Sequence, residues 1–487
     1  MNIVETLLNK NLFNQKAFID GEFTDLDNKE IIEVFNPANN EKIGTVPKLS
    51  SDEIKIAIVA AKKAGSFWKE ETASTRASLL KKWANLIIDH KDDLAKIMTI
   101  EQGKPLKESL KEIELSANYI EWFSEEARRI YGSIIPAPQE NQKIFVEYEP
   151  IGVVAAITPW NFPSSMIARK AGAALASGCT IVIKPSESTP FSALALAILA
   201  SEAGIPKGVI NIVTGNSKII GEELSINTDV KKLSFTGSTN VGKLLIKQAA
   251  STVKRMSMEL GGSAPFIVFA DSDIDKTVKD IIACKFRNNG QTCICANRVF
   301  IEESVFKQYE EKLIKEVKKL TIGNGLDNVD LGPLISEKPI IRLENLLRRA
   351  ITSGAELKYG GAKNEGKGSF FEPTILLAKI NDDMDILKEE IFGPILVLTK
   401  FSREEEVVNI ANNSNFGLAS YLYTQDNIRI ERLTRQLEYG MIGVNEWAIS
   451  TEVAPFGGIK HSGFGREGSY LGIKEYLNVK YIMQKYL

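Results

Sequence analysis

Histidine is almost missing from this chain: only His90 and His461 occur in 487 residues. A Ser-His-Asp or Cys-His mechanism would have to use one of those two, and a zinc site would have almost no imidazole to draw on. Cysteine is nearly as scarce. Cys179, Cys284, Cys293 and Cys295 are too few for a disulfide scaffold of this size, so a reduced, cytoplasmic enzyme is expected. Neither sign of charge is in excess, with 60 Lys+Arg against 62 Asp+Glu, and no long run of like charge occurs. A nucleic-acid or membrane-surface partner is therefore not expected. No stretch approaches the roughly 20 apolar residues of a membrane-spanning helix. The first residues lack the basic region and apolar core of a secretion signal. What remains is carboxylate, lysine or cysteine chemistry.

A composition of 44% hydrophobic and 25% charged residues is that of an ordinary soluble globular protein, long enough for two or three domains. The middle of the chain alternates apolar runs, read as strands at 152–157, 180–183, 209–213, 232–235 and 265–269, with helices at 164–176, 189–203, 218–225 and 241–251. Continuous apolar strands separated by helices predict an α/β fold with a parallel sheet covered on both faces. Pro190 suits a first helical turn, Gly204 suits the position after a helix end, and Ser50 with Glu53 forms a capping box ahead of Ile54, Ala57, Ile58 and Ala61. The alternation resumes after Asp271, which predicts a second α/β domain. The short alternating segments 143–148 (KIFVEY) and 478–483 (NVKYIM) predict exposed edges. They either pair with another chain or complete a local sheet within the monomer.

Four motifs carry chemistry. Gly237-Ser-Thr-Asn-Val-Gly242-Lys243 matches a phosphate-cradling loop, but Leu244 stands where a Mg²⁺-binding Ser or Thr is required, which argues against a nucleotide hydrolase. The turn still follows a strand and opens a helix, a ready site for a dinucleotide pyrophosphate. In FRNNGQTCIC, Cys293 sits among polar residues suited to a reactive thiolate, whereas Cys179 and Cys284 keep apolar company. The C-x-C spacing offers too few ligands for a closed metal site. A Cys293–Cys295 disulfide that silences the nucleophile under oxidation stays open, making Cys295 a candidate redox switch. Glu259, flanked by Met256, Met258 and Leu260, is a candidate general base whose pKa partial burial would raise. Asn161, in TPWNFP at the carboxyl end of the strand 152–157, is a candidate oxyanion donor.

Together, in this order, and with EEIFGP (389–394) and PFGGIKHSGFGRE (455–467), these blocks resemble the aldehyde dehydrogenase superfamily over nearly the whole chain. The resemblance implies an aldehyde dehydrogenase-like fold. It comprises an NAD(P)-binding Rossmann-like domain at 1–126 and 150–260, a catalytic domain at 261–450, and oligomerisation strands at 127–149 and 470–487. It implies Cys293 as nucleophile, Glu259 as the base that activates water, and Asn161 with the Cys293 N–H as oxyanion hole. Lys170 matches a lysine common near the active site. Lys184, Ser186 and Glu187 would contact the adenosine ribose, Gly237, Ser238 and Gly242 the pyrophosphate turn, and Trp160, Glu390 and Phe392 the remaining cofactor cleft.

Several stretches are most similar to succinate-semialdehyde dehydrogenases, where Arg169, Arg287 and Ser450 would hold the substrate's distal carboxylate. Either arginine alone could instead form a structural ion pair. Trp447-Ala448 departs from that subfamily's pattern and keeps glutarate semialdehyde and lactaldehyde open. Glu187 favours NAD over NADP, because its charge suits ribose hydroxyls and repels a 2′-phosphate. The retained base favours hydrolysis over transfer to coenzyme A. A homodimer or homotetramer is implied.

Overall fold

The computed structural model describes residues 3–25, 30–364, 366–379 and 384–486, so the outermost positions of the expected terminal segments, 1–2 and 487, lie outside them. Apolar runs such as VVAAI and TIVIK have no polar face to offer water. They form the buried interior of a parallel sheet, Val153–Ile157 pairing with Thr180–Lys184 and with Val230–Thr236. Across this eight-stranded sheet the order is Glu22–Thr24, Ala17–Ile19, Ile210–Ile212, Thr180–Lys184, Val153–Ile157, Val230–Thr236, Arg255–Glu259, Gly463–Phe464. The five consecutive strands from Ile210–Ile212 to Arg255–Glu259 are parallel, and chain order reverses between Val153–Ile157 and Val230–Thr236. That reversal is the switch point of a doubly wound fold, and it opens a crevice beyond the carboxyl ends of those two strands.

All five expected strands and all four expected helices are present. The helix expected from 241 begins two residues earlier, at Thr239, with Ser238 as N-cap. Ser50 and Glu53 form the full capping box, the Ser50 N–H donating to Glu53 Oε2 at 2.7 Å, and the helix Ser51–Trp68 buries Ile54, Ala57, Ile58 and Ala61. Such a cap is worth about 1 kcal/mol. Pro190 occupies the first turn of Pro190–Glu202, whose next two N–H groups donate to the buried Glu101 carboxylate, each at 2.8 Å.

A second sheet of seven strands runs Glu356–Tyr359, Thr374–Leu377, Ile395–Phe401, Ala296–Glu302, Ala264–Val268, Ala419–Tyr423, Met441–Val444. It is parallel except for its first hairpin. The segments KIFVEY and NVKYIM lie opposite each other, Gln142–Pro150 pairing antiparallel with Leu477–Lys485 in a three-stranded sheet within the monomer. Val479 and Tyr481 on its outer strand are 64% and 59% exposed. Among the described residues no helix is long and apolar enough to cross a membrane.

Candidate active site

The loop that carries Cys293 is built by an abrupt helix ending. Helix Ile274–Phe286 stops at Arg287, and Asn288, Asn289 and Gly290 then take left-handed φ of 48°, 56° and 73°. Asn tolerates this region better than other side chains do, and Gly reaches it freely. A Cβ on Gly290 would meet the Gly393 carbonyl oxygen at 2.2 Å, so the turn presses against the EEIFGP segment. Hydrogen bonds then lock the turn onto the TPWNFP loop. Asn288 Nδ2 donates to the Asn161 carbonyl at 2.9 Å, and Asn161 Nδ2 donates to the Gln291 carbonyl at 2.9 Å. Lys104 Nζ also donates to the Asn161 carbonyl, at 2.7 Å, while pairing with Glu112 at 2.5 Å. Glu112 in turn accepts the Ser164 and Ser165 N–H groups at the start of the next helix.

These loops converge on a cavity of about 250 Å³ at the switch point, lined by Cys293, Glu259, Asn161, Trp160, Gly237, Ser238, Glu390 and Phe392 among others. Gly261 and Gly262 let its walls close. A Cβ on Gly262 would meet the Cys293 carbonyl oxygen at 2.3 Å, and one on Gly261 would meet Glu390 Oε2 at 2.6 Å. Burial, reinforced by the Glu390 and Glu259 carboxylates, pushes the half-buried Cys293 thiol up to about 12. Glu259 is 3% exposed, and neither of its oxygens has a hydrogen-bond partner among the described residues. Burial and the nearby Glu467 charge raise its pKa well above the ordinary carboxylate value. Glu467 itself is held below that value: burial opposes its ionisation, but the Lys170 ammonium and Arg169 guanidinium outweigh it. Lys170 Nζ donates to Glu467 and, at 3.0 Å, to Ser234 Oγ.

On the other side of the crevice, helix Thr239–Ala249 points its N-terminus at a contiguous cleft of about 710 Å³, lined by Ser238, Thr239, Lys243, Trp160, Glu390 and Phe392, among others. The Ser238 side chain makes no capping bond, which leaves the first-turn N–H groups available to an anion. Gly242 faces Leu260 instead, where a Cβ would sit 2.5 Å from Leu260 Cδ2, so it serves helix–strand contact and does not line the cleft. Phe392 holds a left-handed φ of 48° and meets the Trp160 ring edge-on at 5.6 Å. Glu390 accepts the Gly262 N–H at 3.0 Å, and burial pushes its pKa up to about 7. Lys184, Ser186 and Glu187 stand at the end of the neighbouring strand. Lys184 Nζ donates to Ser217 Oγ at 2.6 Å, Glu187 accepts from Ser217 N and Oγ at 2.7 and 2.9 Å, and Ser186 Oγ accepts the Ser188 N–H at 3.2 Å.

The two arginines part company. Arg169 is 2% exposed, 3.3 Å from Glu467 Oε2, and flanked by the Tyr119 and Phe456 rings. This is the structural ion pair weighed as its alternative. The Arg287 side chain forms no ion pair or hydrogen bond among the described residues, and its Nε is buried without a partner. It lines a separate cavity of about 540 Å³ with Phe162, Trp447 and Ala448. Ser450 is half-buried beside Tyr119. Cys295 is buried, its Sγ 3.5 Å from the Gly290 carbonyl oxygen and 3.9 Å from Lys285 Nζ, and all four cysteines are free thiols.

The sequence pattern of the aldehyde dehydrogenase family matches residues 23–482. The chain belongs to the aldehyde dehydrogenase family. This aldehyde dehydrogenase is 52% identical over 477 residues to the Escherichia coli succinate-semialdehyde dehydrogenase [NADP(+)] GabD, covering 98% of this chain and 99% of that one. It is equally 52% identical to a Pseudomonas aeruginosa glutarate-semialdehyde dehydrogenase, over 97% and 98% of the two chains. Among solved structures, an E. coli NADP-dependent enzyme superposes with a TM-score of 0.97 at 52% identity, covering 99% and 100% of the chains. Staphylococcus aureus betaine aldehyde dehydrogenase in complex with NAD⁺ gives 0.95 at 34% identity, covering 99% and 97%.

Three groups of this dehydrogenase's site escaped sequence reasoning. Glu467 lay within a quoted motif without a role, and its partners Arg169 and Lys170 are nearly 300 residues away, so no local spacing signals the contact. Lys104 and Glu112, which brace Asn161, were not singled out in the sequence, where a buried charge pair has no local signature. Lys285, fully buried with its Nζ 3.9 Å from the Cys295 sulfur, was not singled out either.

Proposed function

We propose that the enzyme oxidises succinate semialdehyde to succinate through a thiohemiacetal and then a thioester on Cys293, with NAD as preferred acceptor. The observation that carries the substrate reading is Arg287, a guanidinium with no ion pair among the described residues, lining a cavity together with Trp447. A guanidinium fork holds a carboxylate bidentately and leaves a neutral aldehyde unrewarded. Arg169, already paired with Glu467, supplies positive field, and Ser450 a hydroxyl.

Cys293 rests as a thiol, so attack needs a proton acceptor in the same cavity. Glu259, with both oxygens unpartnered and its pKa raised by burial, takes that proton. The new S–C bond leaves an oxyanion that accepts from the Asn161 side chain and the Cys293 backbone N–H. A bound nicotinamide supplies the hydride acceptor. Glu259 releases the thiol proton to solvent, and as a carboxylate again it takes a proton from water as that water attacks the thioester carbonyl; the Cys293 sulfur leaves as a thiolate, and the same oxyanion donors act a second time. Lys170 and Glu467 set the field in which Glu259 titrates.

The residues present fit a dinucleotide: a long cleft, a helix N-terminus with free N–H groups, and the Trp160 and Phe392 rings. Ser238 and the turn at Gly237 would hold the pyrophosphate, Glu390 the nicotinamide ribose, and Lys184, Ser186 and Glu187 the adenosine ribose. Glu187, a carboxylate at that end, supports NAD over NADP, although its contacts with Ser217 and Lys184 soften the repulsion. The sheets support the domain division expected from sequence, the exposed outer strand Leu477–Lys485 supports a homo-oligomer built through it, and the four free cysteines support a reducing, cytoplasmic compartment. Glutarate semialdehyde is the second substrate reading, favoured by the equally similar Pseudomonas relative.

The test is nucleotide reduction with succinate semialdehyde, glutarate semialdehyde and butanal, for wild type and Arg287→Ala. Turnover of succinate semialdehyde well above that of butanal, with the preference lost in the variant, is expected. A wild type that turns over butanal as well as either semialdehyde would sink the substrate assignment.

A further inference from the structure

The Arg287 side chain forms no ion pair or hydrogen bond among the described residues; the Glu108 carboxylate in the same cavity acts on it through space only, and two aromatic rings flank it. Its guanidinium carbon lies 5.4 Å from the Phe162 ring centroid and 5.6 Å from that of Trp447. Both distances fall within the range in which a cation is attracted to a π face. The other cavity-lining charges are largely occupied: Lys107 pairs with Asp330, Glu112 with Lys104, and Glu108 accepts the Asn288 N–H at 2.7 Å. Of the cavity's cations, Lys111 and Arg287 form no ion pair among the described residues.

Trp447 is itself held firmly. Asn445, with a left-handed φ of 53°, exchanges two hydrogen bonds with Thr424 at the end of strand Ala419–Tyr423. The Ala448 N–H donates to Glu446 Oε1 at 2.7 Å, the Ile449 N–H donates to the Trp447 carbonyl at 3.0 Å, and the ring packs against the core of the second sheet. A rigid ring beside a flexible, unpaired guanidinium is a device for aiming it. A long side chain held in one rotamer also loses less entropy when it binds.

We propose that Trp447 is a positioning residue for Arg287. Its ring holds the guanidinium with its N–H edge free for the distal carboxylate of an ω-carboxylated aldehyde, and so tightens selection for that carboxylate. The proposal rests on the carboxylate-selecting reading of Arg287 given above. It assigns Trp447 a role in selectivity that a merely space-filling ring would not have.

The experiment compares wild type, Trp447→Leu, Trp447→Phe and Arg287→Ala, measuring kcat and KM separately for succinate semialdehyde and for butanal, with thermal unfolding as the control for fold. Leu keeps apolar volume without a π face, and Phe keeps the face. Trp447→Leu is expected to lower the succinate-semialdehyde to butanal ratio of kcat/KM by about five- to tenfold, through KM for the semialdehyde, and Trp447→Phe to restore most of it. Equal ratios in the Leu, Phe and wild-type enzymes, while Arg287→Ala loses selectivity, would overturn the proposal and leave the substrate reading intact. An Arg287→Ala enzyme that keeps wild-type selectivity would overturn both.

Discussion

Replacing Glu467 with Gln tests the electrostatics around the base more sharply than replacing the base. In the native site the Glu467 charge raises the pKa of Glu259, while Lys170 and Arg169 lower it. The variant removes the like charge and leaves both cations uncompensated, so every change favours the Glu259 carboxylate. Removal of one nearby buried charge shifts a carboxyl by on the order of 1–3 units, and one unit is about 1.4 kcal/mol. The acid limb of the kcat/KM profile for succinate semialdehyde is therefore expected to move to lower pH by about one unit or more. Thioester hydrolysis should also slow, because a less basic carboxylate is a weaker general base. Stranding two buried cations costs about 3–5 kcal/mol, so thermal stability should fall as well. Stopped-flow nucleotide reduction across pH, with differential scanning calorimetry, reads both effects. An acid limb that stays in place or moves up would refute the claim that Glu467 acts on Glu259 through its charge.

Three further outcomes are expected. Glu187→Gln should raise kcat/KM for NADP relative to NAD by several-fold in steady-state assays, and an unchanged ratio would remove Glu187 from the account of cofactor choice. Glu390, pushed up to about 7 by burial, holds its proton in the folded state at pH values where the unfolded chain has lost it. Stability is thus lost as pH rises from about 4.5 towards 7, and Glu390→Gln should recover up to roughly 3 kcal/mol at pH 8 but little at pH 4, seen as a larger rise in Tm at the higher pH. Under hydrogen peroxide, wild type is expected to lose activity in a form that dithiothreitol restores, the two thiols of Cys293 and Cys295 giving a disulfide and water. Cys295→Ala should be less recoverable, and equal recovery in both would exclude Cys295 as the resolving thiol.

What was legible in the sequence was what local chemistry determines. VVAAI and TIVIK can only be doubly covered strands, Pro190 and the Ser50–Glu53 pair mark helix starts, and polar company around Cys293 set it apart from Cys179 and Cys284. The two-residue error at Thr239 arose because Ser238 caps the helix through its backbone conformation alone, without a side-chain bond. The pairing of KIFVEY with NVKYIM was invisible because each strand alone reads as an edge, and their register spans more than 300 residues. The same limit hid the Arg169–Glu467 ion pair. A buried charge looks like any surface charge until its partner arrives from elsewhere in the chain, which is why Lys104, Glu112 and Lys285 also went unread.

The central claim is that Cys293 carries the acyl group between oxidation and hydrolysis. Glu259→Gln keeps the shape of the site but removes the base: attack of Cys293 slows, its proton passing to water, while hydrolysis of the less electrophilic thioester slows more, so in rapid quench with succinate semialdehyde and NAD, followed by peptide mass spectrometry, a succinyl thioester should accumulate on the peptide containing Cys293. A variant that accumulates no adduct while still reducing NAD in a burst, or one that carries the adduct on another residue, would contradict the account.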